Sequence, residues 1–492
     1  MKPTVRLQRP ETLLSSISQK HTSTPLCCVY AVQHGGDSRR TGWRSLHTSL
    51  TKQKPATLSS SSMASSTHSP SSFQTADAGN AALPLSGLPL SQVLRTYLIT
   101  SISSSPKILG ASTSLLRGML NSQNPLFRID TNPLMRGLLW ETFYKQFCAG
   151  ETEAQVSMTC NDLRNQGYAG VILEYALEVL KDAEGNEQKD VAVWRKGMLD
   201  TVHMAAPGDF VGLKWSGMGA TAMRRMADNK EPSERMSEAM HALCKAAAKK
   251  GIALLPAAEE TWSLTGFHNW CLKMQRAYNT GGKSVVYSTY QAYLKQTPAD
   301  LARHLDLAKK EKFTLGAKMV RGAYLGSDDR TLIHPNAEVT HACYDGIASA
   351  LIRREYNDVL KPAQESVNEP ITNINVVLAT HNDVSVKKAQ ALRQEQAARD
   401  EKLTPLTFGQ LQGMADEVSC SLIAAARANA GNENAVRERV FKCTTWGPMY
   451  DCLNYLLRRA AENKDAAGRT FETRNAMKAE IWRRIKRTFM LA

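Results

Sequence analysis

Short apolar runs, each followed by a stretch of helical periodicity, recur through most of the chain. They occupy residues 171–175, 211–215, 252–255, 285–289, 315–320, 376–379, 406–408 and 440–443, and their starts lie about 30 to 40 residues apart, with one longer gap before 376. Such runs are too short for buried helices and match strands covered on both faces. Eight alternating strand–helix units predict a parallel sheet, and their number suggests closure into a (β/α)8 barrel, with a doubly wound open sheet as the alternative. A barrel would put its chemistry at the C-terminal ends of the strands. Those ends supply Lys214, Glu259, Gln291, Lys318, Arg321, Tyr324, His381, Asn382, Gln410 and Cys443.

Ahead of the strands, residues 76–150 read as a helical arm broken at Pro106, Pro125 and Pro133. Behind them, Met477, Ile481, Ile485 and Phe489 fall at helical spacing, interleaved with Arg483, Arg484, Lys486 and Arg487. This basic amphipathic helix, residues 471–492, can lie on an anionic membrane or pack on the barrel with its charges in water. The barrel itself is expected over residues 151–470.

Charge refines the picture at the N-terminus. The chain of 492 residues has a formal charge of +15, and nearly half of that excess precedes Phe73, where nine lysines and arginines face only Glu11 and Asp37. A basic, Ser-rich, acid-poor leader describes a disordered mitochondrial transit peptide. Residues 59–72 continue it as a low-complexity linker, so residues 1–75 are set apart from the fold. Without the leader no basic patch interleaves with aromatics, and nucleic-acid binding is not expected. No stretch is apolar for the roughly 18 residues of a membrane span. The ten cysteines show no metal-type spacing and read as reduced thiols; no metal is expected. No P-loop or G-x-G-x-x-G follows a strand, so a nucleotide cofactor would need another mode of binding.

The stretch Y-L-L-R-R-A-A-E-N from Tyr455 carries the sharpest chemical signal. Helical periodicity sets Tyr455, Arg458, Arg459 and Glu462 on one face, with Leu453, Leu456, Leu457 and Ala460 opposite. Pro448 fits the first turn of that helix. Adjacent guanidinium groups beside a tyrosine can grip a carboxylate bidentately; a solvated basic face with an Arg458–Glu462 ion pair is the plainer reading.

Together with A-G-E-T at Ala149, G-A-K-M-V-R-G-A-Y at Gly316, A-T-H-N at Ala379 and F-G-Q-L-Q-G-M at Phe408, this block makes the chain resemble flavin-dependent proline dehydrogenases of the mitochondrial eukaryotic type. The resemblance spans residues 143–463. It implies a distorted (β/α)8 barrel holding FAD at the strand ends, and oxidation of L-proline to Δ1-pyrroline-5-carboxylate by hydride transfer from C5 to the flavin N5. Electrons would pass to a membrane quinone, in a peripheral enzyme on the matrix side of the mitochondrial inner membrane. It also implies that Lys214, Arg458 and Arg459 bind the substrate carboxylate, and that Tyr324, Leu411 and Tyr455 line the ring pocket. Gln291, Lys318, Arg321, His381, Asn382, Gln410 and Glu462 would serve the cofactor, and Glu151 would pair with the first arginine and close the site.

Two positions depart from the family pattern. Ala257 stands where relatives have an acceptor aspartate, so Glu259 or Glu260 would have to substitute. Cys443 stands where many relatives have a tyrosine and hydroxyproline-specific ones a serine. These departures leave open a trans-4-hydroxy-L-proline dehydrogenase or a catalytically weak flavin-binding paralogue. A Schiff-base barrel enzyme using Lys214 or Lys318 is a further class, one that borohydride trapping would reveal.

Overall fold

In the computed structural model, residues 84–122, 124–129, 132–176, 185–363, 370–371, 373–432, 435–462 and 467–489 are described. The expected leader and linker, residues 1–75, lie outside them. A short strand β1 (Cys148–Gly150) precedes eight longer ones: β2 (Gly170–Tyr175), β3 (Phe210–Leu213), β4 (Ala253–Pro256), β5 (Ser288–Gln291), β6 (Leu315–Val320), β7 (Ile374–Ala379), β8 (Leu406–Leu411) and β9 (Arg439–Trp446). All pairings between these strands are parallel, in the order β4-β3-β2-β9-β8-β7-β6-β5. The parallel bridge Leu254↔Val286 joins the two ends of this path, with Leu254 N–H on the Val285 carbonyl at 2.6 Å. The sheet therefore closes as a barrel, and the open doubly wound alternative falls. Each of the eight apolar runs overlaps one of β2–β9, although the fourth lies mostly ahead of β5, where the chain contributes only that bridge.

Side chains pointing into the barrel fill its interior. Ile172, Phe210, Leu255, Tyr287, Val377 and Phe441 form one buried cluster, with Cys443 packed against it. Phe210 meets Phe441 edge-on at 5.2 Å and Tyr287 at 5.7 Å between centroids, arrangements that suit aromatic quadrupoles. Glycine makes room where these rings approach a strand: a Cβ on Gly170 would lie 2.5 Å from the Phe441 ring. The barrel is thus a plugged bowl, open only at the strand ends.

The arm forms helices over Leu90–Ser103, Pro106–Leu120 and Pro133–Leu139. Pro106 and Pro133 each open a helix, where a missing N–H is harmless, and the Asn132 side chain caps the third. The arm then enters β1, which pairs with the end of β9 through Cys148↔Thr445 and Gly150↔Trp446. This three-residue strand has no sequence signal of its own. Gly447, at φ +139°, turns β9 into the helix Met449–Glu462, and its carbonyl accepts the Tyr144 hydroxyl at 2.8 Å. The C-terminal helix Ala467–Thr488 buries Met477 with Leu85, Leu88, Val93 and Cys420, so its packing reading holds for this part of its length.

Buried histidines tie the fold to pH. His268 stacks on Tyr290 and shares a 2.8 Å hydrogen bond with Ser288, while His304 Nδ1 meets the Tyr290 hydroxyl at 2.9 Å. Burial first, then nearby Arg303, holds His268 down to about 3; burial, then His268 and Arg303, holds His304 down to about 2. A depressed histidine is neutral in the fold but takes a proton on unfolding. Its stabilisation is complete above the ordinary value of 6.5 and is lost as pH falls toward the folded value. The unfolding free energy from urea titrations is expected to fall on acidification below 6.5 by roughly 1.4 kcal/mol per pH unit for each histidine. The His268→Gln/His304→Gln variant should lack this slope, whatever its starting stability.

Candidate active site

The C-terminal ends of β3, β4, β5 and β6 are stitched together by side chains. Gln291, the last residue of β5, donates its amide N–H to the Glu259 carbonyl at 3.0 Å, and its amide oxygen accepts the Ala323 N–H at 3.2 Å. The Tyr324 hydroxyl donates to the Ala258 carbonyl at 2.7 Å. Lys214, one residue beyond β3, places its ammonium 5.8 Å from the centroid of the Tyr324 ring. Glu259 is buried and accepts the Ser216 N–H at 3.3 Å. Burial pushes its carboxyl up from the usual range, and the Lys214 charge opposes that shift. The Tyr324 phenol is likewise raised by burial, against Lys214 and Arg459. Lys214, Glu259, Tyr324 and Arg459 therefore share one electrostatic neighbourhood at the mouth of the bowl.

Arg459 reaches that point from the helix Met449–Glu462, whose Leu453 and Leu457 are buried on its other face. Its guanidinium lies 5.3 Å from the centroid of the Tyr455 ring one turn earlier, a cation–π contact that restrains both. The charge of Arg458 acts on Asp451 of the same helix. Glu462 ends the helix, and its side chain lies outside the described ones. Glu151 accepts the Met449 N–H at 2.7 Å and forms an ion pair with Arg136 of the arm. A carboxylate there satisfies an orphan helix donor and faces the positive end of the dipole.

Around the other half of the rim, Arg321 is held in place. Its Nε donates to His341 Nδ1 at 2.9 Å, one Nη to Thr380 at 2.6 Å and the other to Ser385 at 2.7 Å, with the guanidinium 4.4 Å from the Tyr344 centroid. Asn382 caps the helix Asp383–Ala398 through the Ser385 N–H at 2.9 Å. His381 Nε2 accepts the Leu411 N–H at 3.0 Å, which assigns its proton to Nδ1. Gln410 is buried, donating to the Thr380 carbonyl at 3.2 Å and accepting from Ser419 at 3.0 Å. It acts as a strut in the wall.

Inside the bowl, Cys443 pairs with Leu411 across one strand boundary and Ile172 across the other. Burial raises its thiol, and Glu174 adds to the shift while Lys318 opposes it. Glu174 and Lys318 thus flank the neutral Cys443 thiol inside the barrel. Glu174 carries no motif in the sequence, although it is the charged residue near the end of β2 and so stands where a barrel puts functional groups. Arg136 and the partners of Arg321 were missed for another reason: their roles depend on contacts distant in sequence.

Lys214, Lys318 and Arg321 on the barrel strands and loops and Arg459 on its helix outnumber Glu174 and Glu259, a charge balance that suits anionic ligands. Among the described residues no cluster of His, Cys, Asp or Glu could hold a metal.

A closed parallel barrel with a cation-rich mouth and a filled interior defines a (β/α)8 protein of the enzyme type. The chain belongs to the proline dehydrogenase family, whose model matches residues 156–472. It is 29% identical to the mitochondrial proline dehydrogenase 1 of Drosophila melanogaster over 279 residues, covering 54% of this chain and 38% of that protein. It is 25% identical to the hydroxyproline dehydrogenase of Mus musculus over 404 residues, covering 72% and 84%. The crystal structure of proline utilization A from Bdellovibrio bacteriovorus superposes with a TM-score of 0.57 at 15% identity, over 76% of this chain and 41% of that one; this likeness speaks for the fold.

Proposed function

We propose that this protein oxidises L-proline to Δ1-pyrroline-5-carboxylate with bound FAD, passing electrons to a quinone, in mitochondria and peripherally on the matrix side of the inner membrane. The observation that carries the reading is the convergence of Lys214, Tyr324 and Arg459 at the bowl's mouth. Arg459, Arg458 and Lys214 clamp the substrate carboxylate, which fixes the ring against Tyr324, Tyr455 and Leu411. Lys318, Gln291, Arg321, His381, Asn382, Gln410 and Glu462 serve the cofactor side. When bound, FAD supplies hydride acceptance from C5. The residues orient the ring for that transfer and exclude water from it. The substrate nitrogen must give up its proton so that its lone pair can form the C=N bond; the acceptor is the ionised carboxylate of Glu259 or Glu260, two and three residues beyond Ala257, and burial makes that of Glu259 the more basic. Glu151, anchored between Arg136 and the arginine helix, closes the mouth.

Anaerobic addition of L-proline to the purified protein is expected to bleach its flavin spectrum. A yellow protein left unbleached by proline and hydroxyproline alike would sink the reading. A second substrate is favoured by one observation: Cys443, paired with Leu411 in the sheet, carries a side chain far smaller than a tyrosine, which would reach further toward the substrate ring. The Cys443→Tyr variant is expected to lower kcat/KM for trans-4-hydroxy-L-proline relative to L-proline by about tenfold, the scale on which pockets discriminate by size. An unchanged ratio would assign the space to a neighbouring side chain.

A further inference from the structure

The first arm helix and the C-terminal helix form an antiparallel pair. Near the start of the first, Arg484 donates to the Leu88 carbonyl at 2.7 Å; near its end, Arg474 donates to the Ser104 hydroxyl at 3.0 Å. Their inner faces meet over Leu88, Val93 and Met477, all buried. Their outer faces are apolar as well. Leu90, Leu94 and Leu98, spaced by four, are 50%, 47% and 51% exposed on one helix; Trp482 and Phe489, with Ile485 between them, are 55% and 68% exposed on the other. Six large apolar side chains thus stand exposed on two adjacent helices, more than scattered surface residues require, and such exposure marks interaction sites.

The charge around this surface selects the partner. The first helix carries no acid. Over residues 478–489 the sole acid, Glu480, is buried and paired with Arg483 and Arg484, while Lys478, Lys486 and Arg487 stand exposed. The face therefore offers leucines and aromatic rings within a rim that is basic over residues 478–489, with Glu472 the exposed acid toward the other end of the helix. Aromatic rings with one wet edge sit well at a bilayer interface, and long basic side chains reach up to the headgroups. A water-soluble partner of ordinary polarity would leave that rim without counterions. No helix among the described residues is long and apolar enough to cross a membrane, so the pair lies on the surface.

We propose that the layer formed by the helices Leu90–Ser103 and Ala467–Thr488 is a docking surface for an anionic lipid bilayer. It deepens the membrane part of the proposed function, and lipid binding and turnover are read separately so that either can fail alone. The full chain is floated with vesicles of phosphatidylcholine, alone or with one third phosphatidylglycerol, at low and high salt. Flotation is expected with the anionic vesicles only, to weaken with salt, and to fall by about tenfold or more in the Leu94→Glu/Trp482→Glu variant, because charge is inserted into the apolar contact. Proline turnover with a soluble acceptor should not change. Brominated lipids should quench a tryptophan component that is missing from the Trp482→Phe variant. The proposal is overturned if the chain does not float, or if the double variant floats like the parent, which would assign binding elsewhere in the chain. It is also overturned if the variant's only effect is to dissociate a dimer, which would make the face a contact between copies.

Discussion

Replacing Arg459 by methionine is expected to reduce kcat/KM for L-proline by roughly 30- to 1,000-fold, the equivalent of about 2–4 kcal/mol. Methionine keeps an unbranched stem and the helix propensity, so the helix Met449–Glu462 should persist with Leu453 and Leu457 still buried. What disappears is a charge that acts on the Tyr324 phenol beside Lys214 and lies against the Tyr455 ring. A carboxylate that enters the site desolvated then meets fewer donors, and the unmet part of its desolvation appears as lost binding. The division between constants is the informative readout. A rise in KM alone would make Arg459 a uniform binder; a fall in kcat as well would show that the clamp also sets the ring for hydride transfer. Flavin content and midpoint temperature should stay near those of the parent. An unchanged kcat/KM would remove Arg459 from the site.

Much of this site was legible in the sequence because barrels follow a rule. Every run of apolar residues found a strand, and Gln291, Lys318 and Tyr324 were singled out simply by where their strands end. The arginine helix was legible from periodicity, since Leu453 and Leu457 turn inward where the period puts them. Contacts that close over long sequence distances were not. β1 is three residues long and exists because β9 offers it an edge. Arg321 reads as a cofactor-side cation in V-R-G-A-Y, and its bonds to His341, Thr380 and Ser385 are invisible there. The C-terminal helix shows a further limit. Its single apolar stripe is split by the fold, with Met477 buried against the arm and Phe489 left in water, and no periodicity tells one end from the other.

The largest expected loss of stability comes from a residue no sequence argument marked. Lys442, in the middle of β9, is 1% exposed at its side chain, and its ammonium lies 2.8 Å from the Asp416 carboxylate, itself 0% exposed. It also donates to the Met414 carbonyl at 2.8 Å and the Leu411 carbonyl at 3.3 Å, while Gln92 of the arm donates to the other Asp416 oxygen at 3.2 Å. One cation thus secures the turn after β8, the start of the helix Asp416–Ala428 and, through Asp416, the first arm helix. The Lys442→Met variant fits the volume but strands a carboxylate away from water, at an expected 3–5 kcal/mol, the scale for breaking one side of a buried pair. The double variant Lys442→Met/Asp416→Leu removes both charges and should recover most of that loss, because what destabilises is the unpaired ion more than the absent attraction. Urea unfolding of the four proteins of this cycle measures the coupling directly. Additive losses would mean that water reaches Asp416 in the single variant. Leu411 lies at the end of the strand that Lys442 braces, so partial recovery of stability without recovery of KM would place this ion pair in the positioning of the substrate pocket as well as in the fold.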